Sequence, residues 1–266
     1  MHERVHVMGI LNVTPDSFSD GGLYADTAAA VRRATQMVDE GADLIDVGGE
    51  STRPGASPAA LSEELERVIP VIAEVVDQTG VAVSVDTTKS EVARAALDAG
   101  AEIVNDVSAL RFDPEMTGVV AESGAGVVLM HMLGEPRTMQ DNPVYGDVVA
   151  EVRAALLDWA EGAEARGIKA DRIVIDPGIG FGKTREHNLT LLKSIGSLTD
   201  AGYPVMVGPS RKSFIGTTLN LPVDDRLEGT AAVVAWVVAE GARIVRVHDV
   251  GEITRVVRMI EAIKSA

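Results

Sequence analysis

The stretch RIVIDPGIGFGKT, residues 172–184, decides between two folds. It runs from a short aliphatic segment through an acid and a glycine-rich turn into a polar segment, the order expected of strand, turn and helix. Read as a phosphate loop, it would place the chain among the open, doubly wound sheets. Its spacing denies that reading. A P-loop needs glycine five positions before Gly182, and Pro177 stands there. Gly178 and Gly180 match the first two glycines of a dinucleotide fingerprint, but Lys183 holds the third place. What remains is one β-α unit whose strand ends in Asp176.

The rest of the chain repeats that unit. Strand candidates are VHVMGILNV (5–13), LIDVGGE (44–50), VAVSVDT (81–87), EIVNDVS (102–108), GVVLMHM (126–132), RIVIDPG (172–178), PVMVGPS (204–210) and RIVRVHDV (243–250). Their near-continuous Val/Ile content is that of parallel strands covered on both faces. Ala/Glu/Arg-rich helical patterns fit between them, near Thr27–Glu40, Ala60–Gln78, Ser90–Ala99, Pro114–Glu122, Val148–Arg166, Glu186–Thr199, Arg226–Glu240 and Glu252–Ile263. Gly41, Gly80, Gly100, Gly124, Gly167, Gly202 and Gly241 each stand between a helix and the next strand. Eight such units predict an α/β fold of the (β/α)8 TIM barrel type, a single domain over residues 1–266, with a doubly wound sheet as the alternative. The longest irregular stretches, Thr14–Asp26, Ser51–Ala59 and Leu133–Gly146, follow strands and so belong to the catalytic face of a barrel.

Composition narrows the chemistry. The chain is 46% hydrophobic but only 3% aromatic, so its core is aliphatic. It has no cysteine, which excludes disulfides, thiolate metal sites and a cysteine nucleophile. A formal net charge of −16 argues against nucleic acid and anionic membranes as partners. An anionic substrate must then be held by a few local cations. VHVMGILNV lacks a basic leader and is too short to span a bilayer, so a cytoplasmic enzyme is expected.

A barrel gathers its chemistry at the C-terminal ends of its strands. Asn12, Asp46, Glu50, Asp86, Asn105, Asp106, His131, Asp176, Arg211, Lys212, Arg246 and His248 all lie there. Any one of them could be an ordinary ion pair or loop residue. Asp86, Asn105, Asp176, Lys212, Arg246 and His248, however, come from different strands and would meet in one pocket. That is unfavourable unless a ligand or partner satisfies them. Carboxylates with an amide suit a flat heterocycle rich in N–H donors. Arg and His near Asn12 suit a phosphate, and Asn12 can offer an oxygen to Mg²⁺. No transition-metal spacing is present. Met130 could instead be core packing, and Phe18 a loop anchor. His131 reads as structural, His187 as a surface or capping residue, and Trp159 and Trp236 as packing residues.

Seven segments, in order along nearly the whole chain, carry a family resemblance. They are MGILNVTPDSFSDGG (8–22), DVGGESTRPGA (46–56), VSVDT (83–87), IVNDVS (103–108), DPGIGFGK (176–183), GPSRKSFIG (208–216) and RVHDV (246–250). With them the chain resembles the dihydropteroate synthases, pterin-binding barrel enzymes inhibited by sulfonamides. The resemblance implies that 4-aminobenzoate displaces pyrophosphate from 6-hydroxymethyl-7,8-dihydropterin diphosphate, giving 7,8-dihydropteroate. It also implies a homodimer and Mg²⁺ on the diphosphate.

The same resemblance assigns roles. Asp176 and Asn105 would hold the amino-pyrimidine edge of the pterin, Asp86 and Lys212 its other polar edges, and Phe181 and Met130 the walls. Asn12, Arg246 and His248 would hold the diphosphate, with Asn12 also on Mg²⁺. Thr52 and Arg53 would lie near the diphosphate on the second loop. Phe18 and Asp20 would lie on the first loop, which helps to form the aminobenzoate pocket. Ser213 would meet the aminobenzoate carboxylate, and Gly208 belongs to the same substrate-binding segment. Ala109–Phe112 departs from the small residues the family often has after NDVS. Two rival functions remain open: a methyltetrahydrofolate:corrinoid methyltransferase, which needs no diphosphate grip, and a pterin-binding paralogue without turnover. The long first loop and GPSRKSFIG speak against the former.

Overall fold

The computed structural model describes residues 4–14, 23–51 and 58–266. Eight parallel strands form the sheet: β1 His6–Asn12, β2 Leu44–Gly48, β3 Ala82–Asp86, β4 Ile103–Asp106, β5 Gly126–Met130, β6 Ile173–Asp176, β7 Met206–Val207 and β8 Ile244–Val247. They are hydrogen-bonded in the order β6-β5-β4-β3-β2-β1-β8-β7. A parallel bridge from Ile175 to Val205 brings the β6 and β7 edges together and closes the barrel. The doubly wound alternative is thereby overturned.

Around the barrel lie α1 Leu23–Asp39, α2 Leu61–Thr79, α3 Ser90–Asp98, α4 Met116–Ser123, α5 Val148–Ala165, α6 Arg185–Lys193, α7 Gly196–Thr199, α8 Ser213–Leu219, α9 Leu227–Ala239 and α10 Val250–Ser265. Buried positions of α2 follow helical spacing at Val68, Val71, Ile72 and Val75. They belong to the same core as outward-facing strand residues such as Val47, Val83 and Val85. All seven helix-to-strand glycines have positive φ, as at Gly80 (φ 62), whose N–H closes α2 on Val76 O.

Four sequence expectations shift. The predicted helix Glu186–Thr199 splits into α6 and α7, where Ser194 ends one helix and the poor helix former Gly196 opens the next. α8 was not anticipated, because SFIGTTL carries two β-branched threonines; burial of Phe214 and Ile215 holds it. α1 starts at Leu23, inside the stretch expected to be irregular. β7 shrinks to Met206–Val207, since Pro204 and Gly208-Pro209 leave few residues able to join the ladder.

The barrel interior explains where the chemistry sits. At its base Met8, Leu44, Val128 and Met206 pack with Ala82, Ile103, Val174 and Ile244. Side chains along a strand point the same way every second residue. Two residues further along, the strands therefore present Ile10, Asp46, Ser84, Asn105, Met130, Asp176, Gly208 and Arg246. The register agrees, pairing Ile10 with Asp46, Asp46 with Ser84, and Met130 with Asp176. A further step reaches Asn12, Gly48 and Asp86, where the pairs are Asn12–Gly48 and Gly48–Asp86. An apolar floor thus gives way within two residues to a polar layer.

Candidate active site

Above the floor lies a cavity lined by Asp86, Asn105, Val107, Met130, Asp176, Phe181, Met206, Gly208, Lys212 and Arg246. Eight of the residues named from sequence meet there; Val107 and Met206 were not foreseen. Asn12 lies at the end of β1, half-buried, and Ser213 opens α8 exposed to solvent. His248 follows β8, also half-buried. These three do not line the cavity. Phe18, Asp20, Thr52 and Arg53 lie outside the described residues.

Arg246 organises the acids. Its Nε donates to Asp46 Oδ2 at 2.6 Å, and one terminal nitrogen donates to Asp86 Oδ2 at 2.8 Å. Asn105 Nδ2 donates to the same Asp46 oxygen at 3.0 Å. Burial pushes Asp86 up to about 7; Arg246 opposes the shift, while Asp46 adds to it. Burial also raises Asp176, whose Oδ1 accepts from Gly178 N at 2.7 Å. Lys212 is pulled down to about 8 by burial, with Asp176 resisting. Its ammonium lies 4.6 Å from the Phe181 ring centroid and donates to Ile179 O. His248 is tied to Ser210: its backbone N–H donates to Ser210 Oγ at 3.2 Å, and that hydroxyl lies 2.9 Å from Nδ1.

The glycine-rich turn is held from beneath by Lys183, the apparent phosphate lysine. This side chain is buried, with Nζ 2.9 Å from Phe181 O, 3.1 Å from Gly178 O, 3.2 Å from His131 O and 3.0 Å from His131 Nδ1. Burial lowers it to about 7. It pins the loop that carries Asp176 and Phe181, and its ammonium is enclosed by that loop rather than presented to a ligand. His187 accepts from Thr184 N and completes a capping box at α6.

Behind the loop His131 stacks on Trp159 with centroids 5.6 Å apart, and Arg111 lies 4.2 Å from the same indole. The divergent loop 109–112 therefore sends Arg111 against Trp159. Trp236, expected to pack, is 48% exposed and donates its N–H to Leu192 O at 2.8 Å. Burial holds His131 down to about 3, with Lys183 and Arg111 assisting. The unfolded histidine titrates near 6.5, so between these values the unfolded chain binds a proton that native His131 refuses. Stability is then lost as pH falls, by about 2 kcal/mol at pH 5 from this group. Urea unfolding at pH 7 and pH 5 should show that loss in the native chain, and a smaller one in His131→Gln.

Sequence reasoning noticed Asp46 but left it out of the site. The available signal was an acid amid four apolar or glycine residues of β2, LIDVG; the structure leaves it 0% exposed. Glu64 was also missed. This fully buried acid on α2 accepts from Thr87 Oγ1 at 2.6 Å and pairs with Lys89 at 2.5 Å. Lys89 also reaches Glu50 at 2.5 Å, so the base of the second loop is cross-linked by charge.

Residues 8–248 match the pterin binding enzyme family. A dihydropteroate synthase of Synechocystis sp. is 47% identical over 262 residues, covering 98% of this chain and 91% of the relative. Xanthomonas albilineans dihydropteroate synthase with 4-aminobenzoic acid superposes with a TM-score of 0.94 at 46% identity, covering 99% of this chain and 94% of the other. The same organism's enzyme in complex with 7,8-dihydropteroate gives 0.90 at 43% identity, covering 100% and 96%. The methyltransferase alternative is not favoured by these relatives. The chain belongs to the family of pterin-binding enzymes, among the dihydropteroate synthases.

Proposed function

We propose that this pocket carries the dihydropteroate synthase reaction: 4-aminobenzoate displaces pyrophosphate from 6-hydroxymethyl-7,8-dihydropterin diphosphate, giving 7,8-dihydropteroate. The carrying observation is a cavity in which Asp86, Asn105 and Asp176 supply acceptors while Lys212 and Arg246 supply positive charge. That set complements a flat ring bearing several N–H donors and ring acceptors. Solved relatives hold 4-aminobenzoic acid, a substrate of this reaction, and 7,8-dihydropteroate, its product.

Asp176 and Asn105 take the amino-pyrimidine edge, Asp86 and Lys212 the remaining polar edges, and Phe181 and Met130 the ring faces. Asp86, held as a carboxylate beside Arg246, stabilises the positive charge that develops on the pterin and so favours bond cleavage at the methylene. Arg246 offers its remaining N–H groups to the departing diphosphate. Ser210 Oγ, 2.9 Å from His248 Nδ1, holds the imidazole in place beside the diphosphate. Ser213, exposed at the start of α8, meets the aminobenzoate carboxylate, and Gly208 lets the ring approach β7. Thr52, Arg53, Phe18 and Asp20 complete the substrate sites from the two loops. The aryl amine is neutral at pH 7, so positioning rather than a strong base carries its attack.

The residues fit Mg²⁺ of one kind only. Among the described residues no group of three His, Asp or Glu side chains could hold a metal. A lone amide oxygen, that of Asn12, suits an ion whose other ligands are diphosphate oxygens and water. Such an ion would neutralise charge on the leaving group.

The proposal extends to a homodimer. Trp236 on α9 and Met259 and Ile263 on α10 are 48%, 60% and 59% exposed, large apolar side chains on outer helices. A light-scattering mass of twice the chain's 28.0 kDa in dilute buffer supports it, and a monomer mass refutes it. The chain acts as one pterin-binding domain, a reading supported by the family match across residues 8–248. Among the described residues no helix is long and apolar enough to cross a membrane. A cytoplasmic site of action fits a charged diphosphate substrate, which does not cross a bilayer unaided.

The test is direct. Adding both substrates should release pyrophosphate in step with dihydropteroate; pterin binding without release would mark the paralogue reading instead. Asp176→Asn should weaken pterin binding about 10- to 100-fold, the loss expected of a charge-assisted hydrogen bond, with the KM for aminobenzoate little changed.

A further inference from the structure

Asp46 stands in the same polar layer as Asp176 and Asn105, one step below Asp86. It is 0% exposed, and it touches two pocket residues through a single oxygen. Its other oxygen, Oδ1, makes no hydrogen bond. We infer that Asp46 is a positioning residue for recognition of the pterin diphosphate, fixing Asn105 as an acceptor toward the ring and Arg246 as a donor toward the diphosphate. This inference rests on the pterin reading of the pocket.

An ionised carboxylate only accepts hydrogen bonds. An amide facing it must present its N–H₂, whichever way the side chain would turn in its absence. Asn105 Nδ2 therefore points at Asp46, which leaves the carbonyl Oδ1 as the amide atom for the cavity that Asn105 lines. There it accepts from a ring donor and repels a ring acceptor. Arg246 is held by the same oxygen through Nε, while Asp86 takes one terminal nitrogen. Two anchors leave the guanidinium little freedom to rotate, so its remaining N–H groups have one direction. Without Asp46 the amide could turn over and Arg246 would keep only one anchor.

The experiment compares Asp46→Ala with Asp46→Asn, which keeps an acceptor oxygen. Two probes are used: the pterin diphosphate, and its analogue with the 2-amino group replaced by hydrogen. Asp46→Ala should weaken binding of the parent pterin about 10- to 100-fold. It should also shrink the preference for parent over analogue, because a turned amide no longer rewards the donor. Asp46→Asn should recover most of both. Wild-type affinity in Asp46→Ala, an unchanged preference, or an asparagine variant no better than alanine would each overturn the inference. A native chain that binds neither probe would overturn the pterin reading itself. Should Asp46→Ala not fold, the Asn105 side-chain amide protons of the native chain decide. Slow exchange before pterin is added supports the anchor, and fast exchange refutes it.

Discussion

Replacing Arg246 by alanine is expected to lower kcat/KM by about a hundredfold or more and to destabilise the fold by about 3–5 kcal/mol. The two effects have different sources. In the proposed reaction, turnover falls because the diphosphate loses a charged donor. Stability falls because Asp46, at 0% exposure, and Asp86 lose the partner that Arg246 supplies at 2.6 and 2.8 Å. An unpaired buried carboxylate costs more than the ion pair contributed. Asp86 already titrates near 7 with Arg246 lowering it, so without Arg246 its native value rises further above that of the unfolded chain. A raised acid loses stability as pH increases. The deficit of the variant should therefore narrow as pH drops from 8 toward 5, measured by urea unfolding. Adding Asp46→Asn to Arg246→Ala should restore part of the stability and none of the turnover. A single variant as stable as the native chain would mean that the acids find other partners.

Gly178→Ala is the second large effect, and it acts through shape alone. The residue has φ +63, and a Cβ there would sit 1.9 Å from His131 O. The obstacle is backbone, in the segment beside Lys183 and the start of the 133–146 loop, so it does not yield like a side-chain tip. A cost of about 4–5 kcal/mol is expected. In a domain of this size that lowers Tm by about 10–15 °C. Gly80→Ala is the control, with φ +62 and nothing within 4 Å of the added carbon. It should cost only the left-handed backbone, about 1–2 kcal/mol. Equal losses in the two variants would show that the close approach to His131 is not what constrains Gly178. Pterin affinity should fall with Gly178→Ala as well, because Gly178 N donates to Asp176 and Phe181 lies three residues on.

Much of the site was legible because a barrel repeats. Each strand reports its inward residues by alternation, so Asp86, Asn105, Asp176 and Arg246 could be placed at one end of one barrel from their positions alone. Asp46 was harder, since an acid in mid-strand looks like any buried polar residue until its partners are known. Those partners, Asn105 and Arg246, are 59 and 200 residues away. Lys183 and Lys212 were separable only in part. Both are lysines near glycines at strand ends, yet one is enclosed by loop carbonyls and the other lines the cavity.

By itself the sequence determined the period of the strands, the glycines that end the helices and the set of polar groups at the strand ends. Each of these is local, set by side-chain alternation and backbone freedom within a few residues. Tertiary structure alone decided which acids Arg246 holds, that Lys183 is enclosed by loop carbonyls, and where the apolar floor gives way to the polar layer. Those outcomes depend on distances between strands far apart in the chain, fixed by barrel closure and register, and no local pattern encodes them.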